Sequence, residues 1–203
     1  MFIFLFPIFM KDEVLKTDQE LVTAALSDKH AFSEIVHRYE DPIRRYARRL
    51  GCADGDDTDD VLQEIFLKVY ISLNDYDADL KFSSWLYRIA HNEVISFFRK
   101  KNVRPRVLNL KTEDVEKFFS QIADEKDFVE LAHQRDDTRI VLDLLSTINP
   151  KYKEILMLRF LEDKSYTEIS DILKMPEGTV ATLINRGKKE LKLALEARGM
   201  QNI

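Results

Sequence analysis

The sequence predicts an all-α chain of two small helical domains joined by a linker. Three observations carry this. Apolar residues recur at spacings of three and four in one segment after another, and no run alternates as a half-buried strand would. Gly and Pro number five each in 203 residues, too few for a turn-rich β fold. The helical periodicity weakens from residue 103 to 136, which divides the chain into 18–102 and 137–198.

Composition narrows the function classes. Hydrophobic residues make up 45% and charged residues 33%, the balance of a globular protein. Net charge is -5, whereas a free-standing DNA binder is usually basic. The charges are segregated, however. Acidic runs lie at Asp54–Asp60 and Asp124–Glu130, basic runs at Arg99–Arg106 and Arg186–Lys192. Segregation points to basic faces for nucleic acid and acidic faces for a partner; solvated helix faces are the plainer alternative. Cys52 is the only cysteine, so no internal disulfide or Cys-type zinc site is expected, in keeping with a reducing cytoplasm. His30, His37, His91 and His133 lack metal-ligand spacing. No metal or other cofactor is expected.

The opening MFIFLFPIFM is apolar but short of the about 20 residues that span a bilayer. It has no preceding basic residues, as a signal peptide would. Residues 1–17 are read as a tail, with Met10 as a possible true start and a membrane anchor as the weaker alternative; no membrane insertion is expected.

The elements follow in order. Phe32, Ile35, Val36 and Tyr39 form one buried helical stripe. Asp41-Pro42 reads as an N-cap and first position of a new helix, burying Ile43, Tyr46, Ala47 and Leu50. Arg44, Arg45, Arg48 and Arg49 then fall on its other face, read as solvated, with phosphate contact as the weaker alternative, and Gly51 ends it. The run ADGDDTDD fails as a calcium loop: counted from Asp54, the sixth position is Asp59 and the twelfth Ile65. Its acids instead cap and complement a helix from about Asp60 to Leu73. That helix buries Val61, Leu62, Ile65, Phe66, Val69 and Leu73 and leaves Asp60, Gln63, Glu64 and Lys68 outside. An outward Asp-x-x-Gln-Glu group suits docking onto a basic partner surface.

Residues 74–81 read as a loop, and Ser83 or Ser84 as the cap of a helix to about Lys101. Leu86, Ile89, Ala90, Val94 and Phe97 face inward, with Ser84, Arg88, His91, Asn92 and Arg99 opposite. Cations beside Tyr76, Trp85 and Tyr87 suit a single strand whose bases stack or enter pockets. Trp85 and Phe82 as core is the competing reading. Arg104-Pro105 breaks the helix, and a short amphipathic piece is expected at Val115–Ile122 within a tether.

In the second domain Ile140, Leu144 and Leu145 open a helical unit, and Asn149-Pro150 starts a helix burying Ile155, Leu158 and Leu161. Ser165-x-x-Glu168 is a capping box. Ile169, Ile172 and Leu173 are buried, Lys174-Met175-Pro176 turns the chain, and Val180, Ile184 and Leu191 fix the inner face of a last, basic helix. This is a helix-turn-helix pattern; a plain three-helix packing unit is the alternative. Thr179, Ala181, Thr182, Asn185 and Arg186 lie outside, with Lys188, Lys189 and Lys192 further along as phosphate contacts. Small side chains allow close approach, and Asn or Arg reads purine edges by paired hydrogen bonds.

Together the domains resemble the bacterial sigma-70 family, specifically its small extracytoplasmic-function (ECF) sigma factors. Asp60-Val-Leu-Gln-Glu64 is similar to the region 2.2 motif, Phe82–Asn92 to regions 2.3 and 2.4, and Ile148–Phe160 with Tyr166–Leu173 and Gly178-Thr-Val180 to region 4. The resemblance implies a transcription initiation factor, not an enzyme, that binds core RNA polymerase and directs it to promoters. It implies docking of Asp60, Gln63 and Glu64 on the β′ clamp helices, with the β flap as a further polymerase contact. It implies melting and reading of the −10 element by Tyr76, Lys81, Ser84, Trp85, Arg88, His91 and Asn92. It implies reading of the −35 element by Thr179, Ala181, Thr182, Asn185, Arg186 and Lys189. An anti-sigma factor is the implied regulator and the cytoplasm the implied location. Two departures stand out. Ala181-Thr182-Leu183 follows Gly-Thr-Val where the family often has a basic residue and Ser, so the −35 sequence does not carry over. Lys174 stands where the turn usually has Gly; a left-handed lysine costs about 1–2 kcal/mol. The rivals are a helix-turn-helix repressor or activator, whose first domain senses a ligand or dimerises, and a polymerase adaptor that does not touch promoters. No phosphate loop, nucleophile motif or carboxylate pair supports an enzyme.

Overall fold

The computed structural model describes residues 16–52, 55–102, 112–122 and 148–200. Among them there are eight α-helices and no strand. Helices α1 (Asp18–Ser27), α2 (Phe32–Arg49), α3 (Asp56–Ile71) and α4 (Phe82–Lys101) pack as one bundle. Helices α6 (Pro150–Phe160), α7 (Tyr166–Leu173) and α8 (Glu177–Met200) form a second, and α5 (Thr112–Ile122) lies against α6. The tail and Met10, the run at Asp124–Glu130, and Ile140, Leu144 and Leu145 lie outside the described residues.

Each helix start has a local cause. Thr17 and Glu20 form a capping box for α1. Helix α3 opens after Gly55, held at φ +97°, and puts Asp56, Asp57 and Asp59 in its first turn, against the positive helix end. It therefore begins four residues earlier than Asp60, and no side chain caps it.

Three sequence expectations are corrected. Pro42 does not start a helix: α2 runs through it without a break. Ile35, Tyr39, Ile43 and Tyr46 are buried in phase across the proline. Burial at about 1.5–3 kcal/mol per large side chain outweighs the roughly 3 kcal/mol that an interior proline costs. Helix α4 starts at Phe82 with Lys81 as N-cap, not at a serine cap. Phe82 and Trp85 are drawn into an aromatic cluster with Tyr39 and Tyr76, at ring separations of 5.4–5.7 Å. Arg49 is not solvated but 5% exposed.

The second bundle follows the expected pattern. Asn149 Oδ1 accepts from the Lys151 amide at 3.0 Å, ahead of Pro150. The Ser165–Glu168 capping box is present. Lys174 ends α7 in the left-handed conformation, φ 53° and ψ 50°, and Ser170 Oγ donates to the Met175 carbonyl at 2.6 Å across the turn. Val180, Ile184 and Leu191 are fully buried. Helices α6 and α8 approach closely at Gly187, where a Cβ would lie 3.0 Å from that of Tyr152. The expected amphipathic piece is α5, whose Phe118 and Ile122 are buried; Phe118 meets the Phe160 ring at 5.7 Å.

Candidate nucleic-acid interface

Asp60, Gln63 and Glu64 stand exposed on α3. With Phe97 and Lys100 of α4 they line a shallow groove. None of the three makes a hydrogen bond or ion pair to a described residue, so a rigid helix presents carboxylates and an amide with their bonding capacity unspent. Beside them Lys68 is tied to the buried Glu93 of α4. The strip continues through the exposed apolar residues Leu67 and Ile71.

On α8 the groups expected to face DNA do face outward. Thr179, Thr182, Asn185, Arg186 and Lys189 are exposed and Ala181 is half-buried. They share one helix with the buried Val180, Ile184 and Leu191, which set its rotation. Thr182 Oγ1 donates back to the Gly178 carbonyl at 2.8 Å. Thr167 of α7 donates to Glu177 at 3.1 Å, joining the two helix starts across the turn.

The residues expected to hold an unpaired strand are only partly on an open surface. Asn92 and Lys81 are exposed, and Arg88 and Tyr76 are half-buried. Ser84 is fully buried and Trp85 only 6% exposed, so neither lies on the outer face. Their burial has a plain cause: α4 is covered on two sides, by α2 and α3 of its own bundle and by α7 of the other. His91 is likewise covered, with Nδ1 2.7 Å from the Glu154 carboxylate of α6 and 3.5 Å from the Tyr46 hydroxyl.

Sequence reasoning missed this junction between the bundles. Arg49 pairs with Asp114 of α5 and with Glu162 in the α6–α7 turn. The Tyr87 hydroxyl donates to Glu162 Oε2 at 2.8 Å. Lys164 Nζ lies 4.0 Å from the centre of the Tyr87 ring. Burial, then the Glu162 charge, raises the Tyr87 phenol far above its ordinary range. Burial likewise lowers the Lys164 ammonium. Burial pushes Glu168 up, but hydrogen bonds from Ser165 and the fields of Lys81 and Lys164 outweigh it and hold its carboxyl below the usual range. Partners such as Arg49 and Glu162 stand 113 positions apart, and no local pattern announces them.

The structure thus defines a two-bundle helical protein with a helix-turn-helix unit and a separate surface of unspent acceptors. Among the described residues no cluster of metal-ligating side chains occurs, and no helix is long and apolar enough to cross a membrane.

Comparison with known proteins makes the class specific. Family models described as "Sigma-70 region 2" and "Sigma-70, region 4" match residues 35–104 and 138–191. The chain is 33% identical over 177 residues to the ECF RNA polymerase sigma factor SigW of Bacillus subtilis, covering 83% of this chain and 90% of that one. It is 31% identical over 185 residues to the ECF RNA polymerase sigma-E factor of Haemophilus influenzae, covering 87% and 94%. Among solved structures, CnrH in complex with the cytosolic domain of CnrY superposes with a TM-score of 0.63 at 25% identity, covering 89% of this chain and 97% of that one. The sigma factor RpoE of Bartonella quintana, solved with the anti-sigma factor NepR, shares the fold at a TM-score of 0.57 and 18% identity, covering 81% and 96%. The chain belongs to the ECF sigma factors of the sigma-70 family. It is a promoter-directing transcription initiation factor.

Proposed function

We propose a division of labour along this chain in which each surface takes one partner. Residues 18–102 hold core RNA polymerase and the melted −10 strand, residues 137–198 read the −35 duplex, and 103–136 connect them. Asp60, Gln63 and Glu64 dock on the polymerase clamp helices, where basic groups would satisfy their unspent acceptors. That exposed, unpartnered trio is the observation that carries the reading.

Lys81, Arg88 and Asn92 contact the extruded strand, with Tyr76 as a stacking surface and His91 joining once it is uncovered. Ser84 and Trp85 act from beneath, by holding α4 and the aromatic cluster in place. Extruding a base costs a few kcal/mol, so polymerase and the α4 face must share the work. Thr179, Ala181, Thr182, Asn185 and Arg186 approach base edges in the major groove, and Lys189 a phosphate. The work is binding and positioning, so the chain acts as a non-catalytic subunit. Its place is the cytoplasm, with polymerase. The likeness to CnrH, solved with a domain of CnrY, supports an anti-sigma factor as regulator.

The test is a titration of the purified protein against bacterial core RNA polymerase, alongside an Asp60→Ala/Gln63→Ala/Glu64→Ala variant. Tight binding lost in the variant is expected. Failure to bind polymerase, with strong unaided binding to duplex DNA, would replace this reading by a repressor.

A further inference from the structure

Helix α4 changes character along its length. The rings of Phe82 and Trp85 cluster with Tyr76 at its N-terminal end, 5.4–5.7 Å apart. Further along, the outward side chains are of another kind. Arg88, Asn92, Ile95 and Arg99 follow one another at spacings of four, three and four. At about 100° per residue they fall within about 60° of one another, and they span about 16 Å of helix. Ile95 is 45% exposed, and among the described residues α4 exposes no other large apolar side chain. The side chains of Arg88, Asn92 and Arg99 make no hydrogen bond or ion pair to a described residue.

One exposed isoleucine on a protein surface is ordinary. This one interrupts a row of unspent donors. The apolar residues Leu67 and Ile71 of α3 stand beside acidic acceptors, whereas Ile95 stands between two arginines, a setting complementary to a polyanion. No aromatic side chain belongs to the stripe, so it offers no stacking platform for unpaired bases. Cation, amide, branched alkyl group and cation on one helix face are instead the means by which a helix reads the major groove. An alkyl side chain distinguishes one base there, because thymine alone carries a methyl group. Ile95 lies about 10 Å along the helix from Arg88, or about three base-pair steps at about 3.4 Å each.

We infer that Ile95 is a specificity-determining residue, packing on the 5-methyl group of a thymine in the paired DNA that adjoins the melted segment. Arg99 holds the backbone beyond it, and Asn92 stands on the side of the extruded strand. This rests on the assignment of the α4 face to promoter DNA. One apolar contact on a methyl group adds discrimination at a single base pair and little to the overall affinity, which the phosphate contacts supply.

The test needs no known promoter. Core RNA polymerase loaded with the full chain selects binders from two random-sequence duplex pools, one copied with dTTP and one with dUTP. The pools differ only in the thymine methyl group. At one position adjoining the melted segment, thymine is expected to be enriched about fourfold more strongly than uracil, the factor that burying one such group supplies. Ile95→Ala should abolish that difference at that position and leave every other enrichment in place, including any methyl-dependent position in the −35 element. Ile95→Val keeps a branched side chain and should retain the difference. Alanine is the better helix former at an exposed position, so the variant should fold, as circular dichroism will show. Selected sequences without a methyl-dependent position beside the melted segment overturn the contact and leave the promoter reading intact. A methyl dependence there that survives Ile95→Ala does the same. Loaded polymerase that enriches no sequence beyond those core alone enriches overturns the promoter reading, and the contact with it.

Discussion

Lys174→Gly isolates one backbone conformation in the second bundle. Lys174 holds φ 53° and ψ 50° at the end of α7, and its exposed side chain has no partner among the described residues. A left-handed residue with a Cβ costs about 1–2 kcal/mol. Glycine removes that penalty but adds freedom to the unfolded chain worth about 0.4–1 kcal/mol. The net expectation is a gain of about 0.5–1 kcal/mol, or roughly 2 °C in the melting temperature of a chain this size. Lys174→Ala is the control: it removes the same charge and stem yet keeps the Cβ, so it should melt close to the parent. Differential scanning calorimetry at matched salt measures all three. If glycine stabilises no more than alanine does, the turn carries no left-handed penalty.

Further outcomes follow from other parts of the molecule. Arg186→Ala should weaken duplex binding by about 1–3 kcal/mol for the preferred sequence only, measured by fluorescence anisotropy across a promoter set; a uniform loss would make Arg186 a phosphate contact. Trp85→Ala should cost about 3–5 kcal/mol of stability, because it empties the aromatic cluster, whereas Trp85→Phe should keep most of it; thermal melts of the two decide between core and surface roles. Burial pushes the Cys52 thiol up from 9.0 to about 11. The native thiol should therefore resist alkylation at pH 8 and react once denaturant unfolds the chain. The sign for stability follows: the unfolded thiol ionises near pH 9 and the native one near 11, so Cys52 favours the unfolded state increasingly between them. The buried hydroxyls of Tyr39, Tyr46 and Tyr87, all raised by burial, act in the same direction. Denaturant midpoints taken from pH 8 to 11 should fall, and fall less in Cys52→Ala.

Local rules made most of the helices legible before any coordinates. The Ser165–Glu168 capping box, Asn149-Pro150, the phase of Val180, Ile184 and Leu191, and the outward strip Asp60, Gln63 and Glu64 each lie within one or two helical turns. At that range spacing along the chain is nearly spacing in space. Pro42 shows where the local rule loses. Its cost is a property of the chain, but the burial of Ile35, Tyr39, Ile43 and Tyr46 that overrides it belongs to the assembled bundle. Ser84 illustrates the same limit: a helical wheel assigns it an outer face without knowing that α4 is packed on by helices of both bundles, and Ser84 is fully buried.

The sequence by itself determined most of the helices, the two bundles, the helix-turn-helix and the outward faces of α3 and α8, because amphipathic period and caps act over a few residues. Only the tertiary structure decided which charged residues are partners. Arg49, Tyr87 and His91 meet Glu162 and Glu154 across separations of 63 to 113 positions. Such pairing depends on how two completed bundles dock, and one carboxylate in a sequence looks like any other until the field around it is known.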